Sequence, residues 1–256
     1  MKAILMTAPG EPKILTVAEV PQPDLADPFD VLVKLHGAGV NPIDTKVRKL
    51  NMYYPDKLPS ILGCDGAGVV EAVGSSVTKV RVGDEVFFFN NGLGGAPGTY
   101  AEFTVVSEDY LAHKPKNLSM VEAACVPLAL ITAWEALVKR GNLREGETAL
   151  IHAGAGGVGH IALQLARHLK ARIATTISNP EKEEFVKLLG AELTIDYRRK
   201  DFVAAALGWT QGAGVSLVMD TVGGETFCKS FNTARMYGRL VTLLSTSCDT
   251  KQINTA

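Results

Sequence analysis

The sequence predicts an α/β protein in two parts, with short strands in the first half and a Rossmann-type, doubly wound parallel sheet in the second. Three observations support this prediction. Up to about residue 115, short apolar runs are separated by proline and glycine turn signals. From about Ser119 onward, strand-like runs alternate with helical periodicity. One strand of the second half ends in a glycine-rich loop that opens a helix, beginning at Gly154.

The first half is expected to form a small barrel or sandwich, because several short strands follow each other at close spacing. In the second of them Val31, Val33 and Leu35 alternate with polar residues, which is the period of a half-buried strand. The strands predicted in this half cover residues 1–7, 31–40, 66–73, 85–89 and 101–106.

The second half begins with a helical stretch. Ser119 and Glu122 fit a capping box, and the apolar stretch that follows runs to Lys139. Pro127 divides this stretch into two helical pieces, because proline cannot donate to the helical hydrogen-bond ladder. Strands are then predicted at residues 148–153, 172–177, 193–196, 215–220 and 239–244, and helices at 158–169, 180–189, 201–207 and 225–236. Such alternation builds a parallel sheet.

Composition excludes several classes of function. The chain has 256 residues, with 26 Lys and Arg against 27 Asp and Glu, so it carries no basic field for nucleic acid or for an anionic membrane. It has no apolar run of the roughly 18 residues that a transmembrane helix needs, and its N-terminus lacks the apolar stretch of a secretory signal. Four cysteines without a close pair favour a reducing compartment, so a cytoplasmic location is expected.

The glycine loop predicts a dinucleotide site. Residues 154–159 read Gly-Ala-Gly-Gly-Val-Gly, which satisfies G-x-G-x-x-G between a predicted strand and a predicted helix. Gly154 permits the tight turn, Gly156 lets the backbone approach a pyrophosphate, and Gly159 lets the helix pack closely on the sheet. The helix N-terminus adds free N–H groups and a positive potential. The alternative, a glycine-rich turn without a ligand, is disfavoured by this context.

The second strand of the predicted Rossmann sheet indicates which cofactor binds. An NAD site carries an acid about 20 residues after the loop, which accepts the ribose hydroxyls, whereas residues 174–179 read Ala-Thr-Thr-Ile-Ser-Asn. Small hydroxyls followed by Lys182, with Arg198 and Arg199 further on, favour a 2′-phosphate and therefore NADPH. The alternative is that Lys182 is a solvated charge on a helix that also carries glutamates at positions 181, 183 and 184.

Short motifs are spread along the whole chain. They read Gly-Val-Asn-Pro-Ile-Asp at 39–44, Gly-Cys-Asp-Gly-Ala-Gly at 63–68, Val-Gly-Asp-Glu-Val at 82–86, Gly-Thr-Tyr-Ala-Glu-Phe at 98–103, Thr-Ala at 132–133, the glycine loop, and Asp-Thr-Val-Gly-Gly at 220–224. In these motifs the sequence resembles the medium-chain dehydrogenase/reductase superfamily, in its zinc-independent quinone oxidoreductase-like branch. The resemblance implies a GroES-like β-barrel domain at residues 1–120, which carries the substrate, and a Rossmann domain at residues 121–256, which binds the nicotinamide cofactor.

The same resemblance implies that the protein needs no metal. The zinc-dependent branch has a cysteine near the position of Asn41, a Gly-His-Glu where this chain has Gly63-Cys64-Asp65, and a lobe of closely spaced cysteines. Residues 87–110 of this chain contain no cysteine. Catalytic zinc needs three converging ligands, and Cys64 with Asp65 would supply only two.

Individual site residues are implied in the same way. Asn41 matches the polar residue that faces nicotinamide and substrate, Asp44 the acid just after it, and either Tyr53 or Tyr54 a tyrosine at the mouth of the cleft. The cofactor-binding residues expected from the loop and the resemblance are Thr132, Gly154, Gly156, Gly157, Val158, Gly159, Ser178, Lys182, Tyr197 and Val222.

Structural alternatives stay open for three of these residues. Asn41 precedes a proline and is also typical of a turn former. Asp44 is equally suited to cap the helical turn that follows it. Thr132 fits an ordinary helix residue whose hydroxyl bonds to its own turn.

The expected function is hydride transfer from NADPH to a quinone or an α,β-unsaturated carbonyl, with donors such as Asn41 polarising the substrate oxygen. A zinc-free alcohol or aldehyde reductase and an NADPH-binding protein with little activity are the alternatives. Chains of the resembled family normally run well past residue 256 and have six Rossmann strands, whereas five are predicted here. The end of the Rossmann domain is therefore expected to be missing or shortened, and an open sheet edge favours a homodimer.

Overall fold

The computed structural model describes residues 1–50, 58–90 and 98–244. Its contacts divide the chain into two units, Met1–Leu128 and Ala129–Ala256. Each unit has its own sheets and its own buried core. Within the described ranges, no helix has both the length and the apolar character that crossing a membrane requires.

The first unit is built from antiparallel strands. They are β1 (Lys2–Met6), β2 (Leu15–Glu19), β3 (Asp30–Gly39), β4 (Ser60–Ile61), β5 (Asp65–Val73), β6 (Glu85–Phe89), β7 (Phe103–Ser107) and β8 (Leu111–His113), with the helices α1 (Pro42–Leu50) and α2 (Met120–Ala124). A five-stranded sheet has the order β7-β3-β5-β6-β8, and a three-stranded sheet has the order β2-β1-β4. The expected antiparallel first domain is confirmed.

The alternation predicted along β3 sets the core of this unit. Val31 and Val33 are fully buried on one face of the strand, whereas Lys34, on the opposite face, is exposed. Val31 lies between Val73 on β5 and Val106 on β7, so the same face of three strands fills one apolar layer. Burying branched side chains in register across neighbouring strands is what stabilises such a sheet.

The second unit is a parallel sheet covered by helices. Its strands are β9 (Thr148–Ile151), β10 (Arg172–Ile177), β11 (Leu193–Asp196), β12 (Val215–Asp220) and β13 (Ala234–Thr242), and its helices after β9 are α4 (Gly157–His168), α5 (Pro180–Leu188), α6 (Phe202–Trp209) and α7 (Gly224–Ser230). The strand order is β11-β10-β9-β12-β13. The predicted Rossmann-type sheet is confirmed.

This order places the glycine loop at a special position. The chain moves from β9 outward to β10 and β11, then returns to the other side of β9 with β12. Ligands of open α/β sheets bind at such a reversal, beyond the carboxyl ends of the strands. The loop that begins at Gly154 leaves β9 at that end.

The helical stretch that follows the first unit's strands in the sequence begins at Ser119, as predicted. The Ser119 hydroxyl accepts a hydrogen bond from the Glu122 amide at 3.2 Å, and the Glu122 carboxylate accepts one from the Ser119 amide at 2.8 Å, which completes the capping box. After α2, a second helix, α3 (Pro127–Trp134), starts at the proline and continues as a π-helix over Glu135–Arg140.

The prediction for residues 225–236 was wrong in part. The helix α7 ends at Ser230, a single 3₁₀ turn follows at Phe231–Thr233, and β13 begins at Ala234 rather than at the predicted Arg239. Ala234 already pairs with Val215, and an irregularity follows in which Tyr237 adopts a positive φ of 58°. Strand pairing therefore overrides the local sequence there. Strands β2, β4 and β8 and helix α1 were not predicted.

Close packing of α4 on the end of β9 generates a testable prediction. A Cβ on Gly159 would lie 2.2 Å from the Ala153 carbonyl oxygen, whereas a Cβ on Gly157 in the same helix would meet nothing within 4 Å. Gly159→Ala should therefore lower the free energy of unfolding by about 3 kcal/mol through overpacking. The matched control Gly157→Ala should leave it unchanged or raise it by up to about 1 kcal/mol. Denaturant unfolding of both variants checks this, and equal stabilities would contradict it.

Candidate active site

Asn41 lies where β3 gives way to α1, and two carboxylates hold it. Its backbone N–H donates to Asp44 Oδ2 at 2.8 Å, and its side-chain Nδ2 donates to Asp65 Oδ2 at 2.9 Å. Pro42 directly after it is the first residue of α1, a position at which the fixed φ of proline suits a helix. Asn41 itself is half-buried, so its side chain is both positioned and accessible.

Asp44 does not cap a helical turn that follows it, the alternative that the sequence left open, because it lies inside the first turn of α1. From the first turn of α1, its Oδ2 accepts the N–H of the residue before the helix, and it accepts the Tyr100 hydroxyl at 2.9 Å. The carboxyl is 7% exposed, and burial raises its pKa above the usual range. Asn41, Asp44, Asp65 and Tyr100 are called the Asn41 cluster below.

Asp65 is the most buried member of the Asn41 cluster. It opens β5, has no exposed surface, and its second oxygen, Oδ1, accepts the Leu128 backbone N–H at 3.0 Å. Burial, with a smaller contribution from the charge of Asp44, raises its pKa to about 6, although the hydrogen bonds from Asn41 and Leu128 lower it. The neighbouring thiol of Cys64 is also buried, and its pKa is raised to about 12. The sequence analysis did not assign Asp65 or Tyr100 to the site.

One sequence signal pointed to Asp65. Asp65 stands between Cys64 and Gly66, directly before the strand predicted at residues 66–73, and acids are rarely buried in such apolar surroundings unless they have partners. The structure adds a reason for Gly39, since a Cβ there would lie 2.8 Å from Asp65 Cβ and 2.5 Å from the Ala124 carbonyl oxygen. The partners of Asp65 lie 24 and 63 residues away along the chain, which no local pattern reveals.

The Asn41 cluster does not fit a catalytic zinc ion. Across residues 1–50, 58–90 and 98–244, no three His, Cys, Asp or Glu side chains are arranged to hold a metal. Both oxygens of Asp65 are engaged by N–H donors, and the raised pKa of Cys64 disfavours the thiolate that a zinc ligand must be.

In the second unit, the residue before the glycine loop is held by a hydrogen bond to a side chain of β10. The Ala153 N–H donates to Thr176 Oγ1 at 2.9 Å, and Ala153 adopts a positive φ of 53° that makes the turn. Gly154 is needed for close approach instead, because a Cβ there would lie 2.1 Å from Thr175 Oγ1. Gly156 and Gly157 are exposed at the N-terminus of α4, with Val158 half-buried behind them.

The other predicted cofactor residues lie in three places: Ser178 and Lys182 at the start of α5, Tyr197 and Val222 in a cavity, and Thr132 in α3. Lys182 Nζ donates to Ser178 Oγ at 3.0 Å, at the start of α5. Tyr197 and Val222 line one cavity of about 580 Å³, together with the basic residues Arg198, Arg199, Lys200 and Lys229. Thr132 is half-buried in α3 and is not part of that lining.

The floor of this cavity includes a neutral histidine that the sequence analysis did not assign. His152 is 1% exposed, and its ring nitrogens lie 3.2 Å from Thr176 Oγ1 and 2.9 Å from Ser230 Oγ. Burial lowers its pKa to about 4, so the imidazole is uncharged at neutral pH.

These features fit a dinucleotide. Exposed glycines at a helix N-terminus leave room for a pyrophosphate beside free N–H groups. Lys182 beside Ser178 and, separately, the arginines of the cavity supply the positive charge that an adenosine phosphate requires. The predicted tyrosines Tyr53 and Tyr54 lie outside the described residues.

Comparisons with known proteins agree with both halves of the chain. Residues 27–116 match the family described as alcohol dehydrogenase GroES-like domain, and residues 157–251 match the family described as zinc-binding dehydrogenase. A quinone oxidoreductase of Pseudomonas aeruginosa is 38% identical over 253 residues, which are 99% of this chain and 76% of that protein.

The names of two further similar proteins include NADPH. The chloroplastic NADPH-dependent alkenal/one oxidoreductase of Arabidopsis thaliana is 43% identical over 178 residues, which are 67% of this chain and 46% of that protein. The solved structure of Escherichia coli quinone oxidoreductase complexed with NADPH is 32% identical, with a TM-score of 0.84, and the match covers 94% of this chain and 72% of that one.

The buried Asp65 carboxyl generates a prediction for stability against pH. Its pKa is about 6 when folded and near 3.8 when exposed, so the folded protein binds this proton more tightly. The stability it contributes is present below about pH 4 and is lost as pH rises through 6. Relative to Asp65→Asn, the wild type should lose about 2 kcal/mol of unfolding free energy between pH 4 and 7. Unfolding both proteins at each pH checks this, and a constant difference would contradict it.

Proposed function

The chain belongs to the medium-chain dehydrogenase/reductase superfamily, in its quinone oxidoreductase-like branch, and we propose that it is a zinc-independent, NADPH-dependent oxidoreductase that reduces a quinone or an α,β-unsaturated carbonyl. We assign the substrate to the domain at residues 1–120 and the cofactor to the domain at residues 121–256. The observation that carries the proposal is Asn41, an accessible amide held by two buried carboxylates in a unit whose described residues show no group of side chains placed to hold zinc.

The proposed cofactor site uses the glycine loop and the residues beyond β10. The N–H groups at the start of α4 hold the pyrophosphate, with Gly154 and Gly159 keeping the helix close to the sheet. Ser178 and Lys182 take the 2′-phosphate, and the cavity with Tyr197 takes the adenosine. NADPH, when bound, supplies the hydride.

At the substrate, the protein has to stabilise the negative charge that develops on oxygen. The Asn41 amide has two N–H bonds, and Asp65 occupies one of them. The second donates to the substrate oxygen in place of the neighbouring thiol of Cys64, which is a weak acceptor. Such a donor typically contributes about 10²–10³-fold to turnover. We assign Asp44 to holding the backbone of Asn41, and Tyr53 or Tyr54 to the mouth of the cleft.

We also propose a cytoplasmic homodimer. Among the described strands, β13 is an edge of the parallel sheet, and it exposes Met236 and Tyr237 almost completely. An exposed edge with large apolar side chains favours association with a second copy.

A direct assay tests the proposed function. NADPH absorbance should fall when p-benzoquinone or methyl vinyl ketone is added to the protein, because both accept hydride at an electrophilic carbon. A simple aldehyde serves as the competing acceptor and NADH as the control cofactor. Consumption with the aldehyde alone would favour an aldehyde reductase, and tight NADPH binding without consumption would favour a protein with little activity. Either result would overturn the proposal.

The choice of NADPH rests on Lys182 and has its own test. Lys182→Ala should weaken NADPH binding by at least about 10-fold, the size expected for one charge-assisted contact to phosphate, and should leave NADH binding nearly unchanged. Lys187→Ala on the same helix is the matched control, since its side chain pairs with Glu183 instead. Fluorescence titration with both cofactors measures this. Equal losses for NADPH and NADH would remove the 2′-phosphate role.

A further inference from the structure

The Asn41 side chain is held by a carboxylate whose own position is fixed on every side. Asp65 has no exposed surface, and its Oδ1 accepts the Leu128 N–H in the first turn of α3. Its Cβ lies so near Gly39 that any side chain at that position would displace it. Only Oδ2 is left for Asn41, at 2.9 Å from Nδ2. The Asn41 amide is therefore held by a single carboxylate oxygen, Asp65 Oδ2, in a fixed position.

The chemistry of that oxygen decides which way the amide points. An ionised carboxylate accepts hydrogen bonds and cannot donate them. An Asn41 amide turned by 180° would place its own oxygen against Asp65 Oδ2, which brings two acceptors together. The N–H side of the amide must therefore face Asp65. A neutral asparagine at position 65 would keep its oxygen on the Leu128 N–H and present its own N–H to Asn41, which favours the turned amide instead.

We propose that Asp65 is a positioning residue, which orients the Asn41 amide so that its second N–H meets the substrate carbonyl oxygen. This inference rests on the proposed function of Asn41. Asp65 does not touch the substrate and acts only through the amide. Asp44 supports the same residue from the other end, since it accepts the Asn41 backbone N–H and the Tyr100 hydroxyl.

Protonation of Asp65 should remove its control over the orientation of the Asn41 amide. A protonated Asp65 can donate to the amide oxygen of Asn41, which permits the turned amide and withdraws the second N–H from the substrate. The titratable groups that influence Asp65 are Asp44 on α1 and Cys64 directly before it, and Tyr100 lies on the far side of Asp44. The buried carboxyl titrates near pH 6, above its ordinary range, so the change falls within an accessible interval of pH.

A double-mutant cycle tests the proposal with quinone reduction as the assay. Asn41→Ala should lower kcat by about 100-fold and leave the affinity for NADPH nearly unchanged. Asp65→Asn, which keeps the shape of the side chain, should lower kcat by about 10-fold in the wild type. In the Asn41→Ala background the same change should alter kcat by less than about twofold. Asp84→Asn, in the turn before β6, is the matched control and should leave kcat at the wild-type value.

The outcomes separate the two proposals. If Asn41→Ala keeps the wild-type kcat, the proposed function of Asn41 fails and the inference fails with it. If Asn41→Ala loses activity but Asp65→Asn loses none, or loses as much in both backgrounds, only the role of Asp65 is overturned. Thermal unfolding and NADPH titration of each variant exclude a general loss of structure.

A pH profile provides the second readout and does not depend on any change at Asp65. The wild-type kcat should fall below about pH 6, where the carboxyl becomes protonated, and Asn41→Ala should lack this acid limb because the amide through which Asp65 acts is gone. A flat wild-type profile between pH 5 and 8, or the same limb in both proteins, would overturn the proposal.

Discussion

The hydrogen bond between Asn41 and Asp65 is the contact on which the proposed chemistry of the first unit depends. It joins the end of β3 to the start of β5, and the second oxygen of Asp65 extends the connection to the first turn of α3. Burying this carboxyl costs free energy, as the raised pKa shows. Neutral N–H and O–H donors, rather than basic side chains, offset that cost in the Asn41 cluster. The result is an acidic site whose polar groups have fixed directions.

In the second unit, small hydroxyl side chains fix the conformation of the glycine loop. A glycine loop has little intrinsic preference for one conformation, and the threonines of β10 give it one. Thr175 Oγ1 donates to the Ile151 carbonyl at 2.7 Å, while Thr176 Oγ1 accepts the Ala153 N–H and lies 3.2 Å from the ring of His152. The residues that replace an acidic ribose ligand in this strand are therefore also the ones that support the loop.

The sequence predicted most of the framework because its signals are local. The capping box at Ser119, the break at Pro127 and the alternation in β3 each depend on neighbours within a few residues, and all three are present in the structure. The glycine loop was found for the same reason. Family resemblance added Asn41 and Asp44, which periodicity alone does not distinguish from turn residues.

The parts that sequence missed depend on distant partners. Asp65 and Tyr100 join the site through contacts 24 and 56 residues apart in the chain, and the early start of β13 follows from its pairing with β12. Gly154 was predicted to make a turn, but the structure gives the turn to Ala153 and uses Gly154 to make room for Thr175. In each case the constraint is a close approach between segments, which a one-dimensional pattern does not contain.

The surroundings of Lys182 support the phosphate-binding role that we propose for it. Its helix carries glutamates on both sides of it, which by itself suggests an ordinary solvated lysine. The nearest of these, Glu183, is already engaged by Lys187 at 2.6 Å and by the Thr194 hydroxyl at 2.9 Å. Those contacts lower the pKa of Glu183. Lys182 instead reaches Ser178, where its ammonium and a hydroxyl together present donors to an incoming phosphate. The contact with Ser178, rather than the number of charges on the helix, is therefore what supports the phosphate role proposed for Lys182.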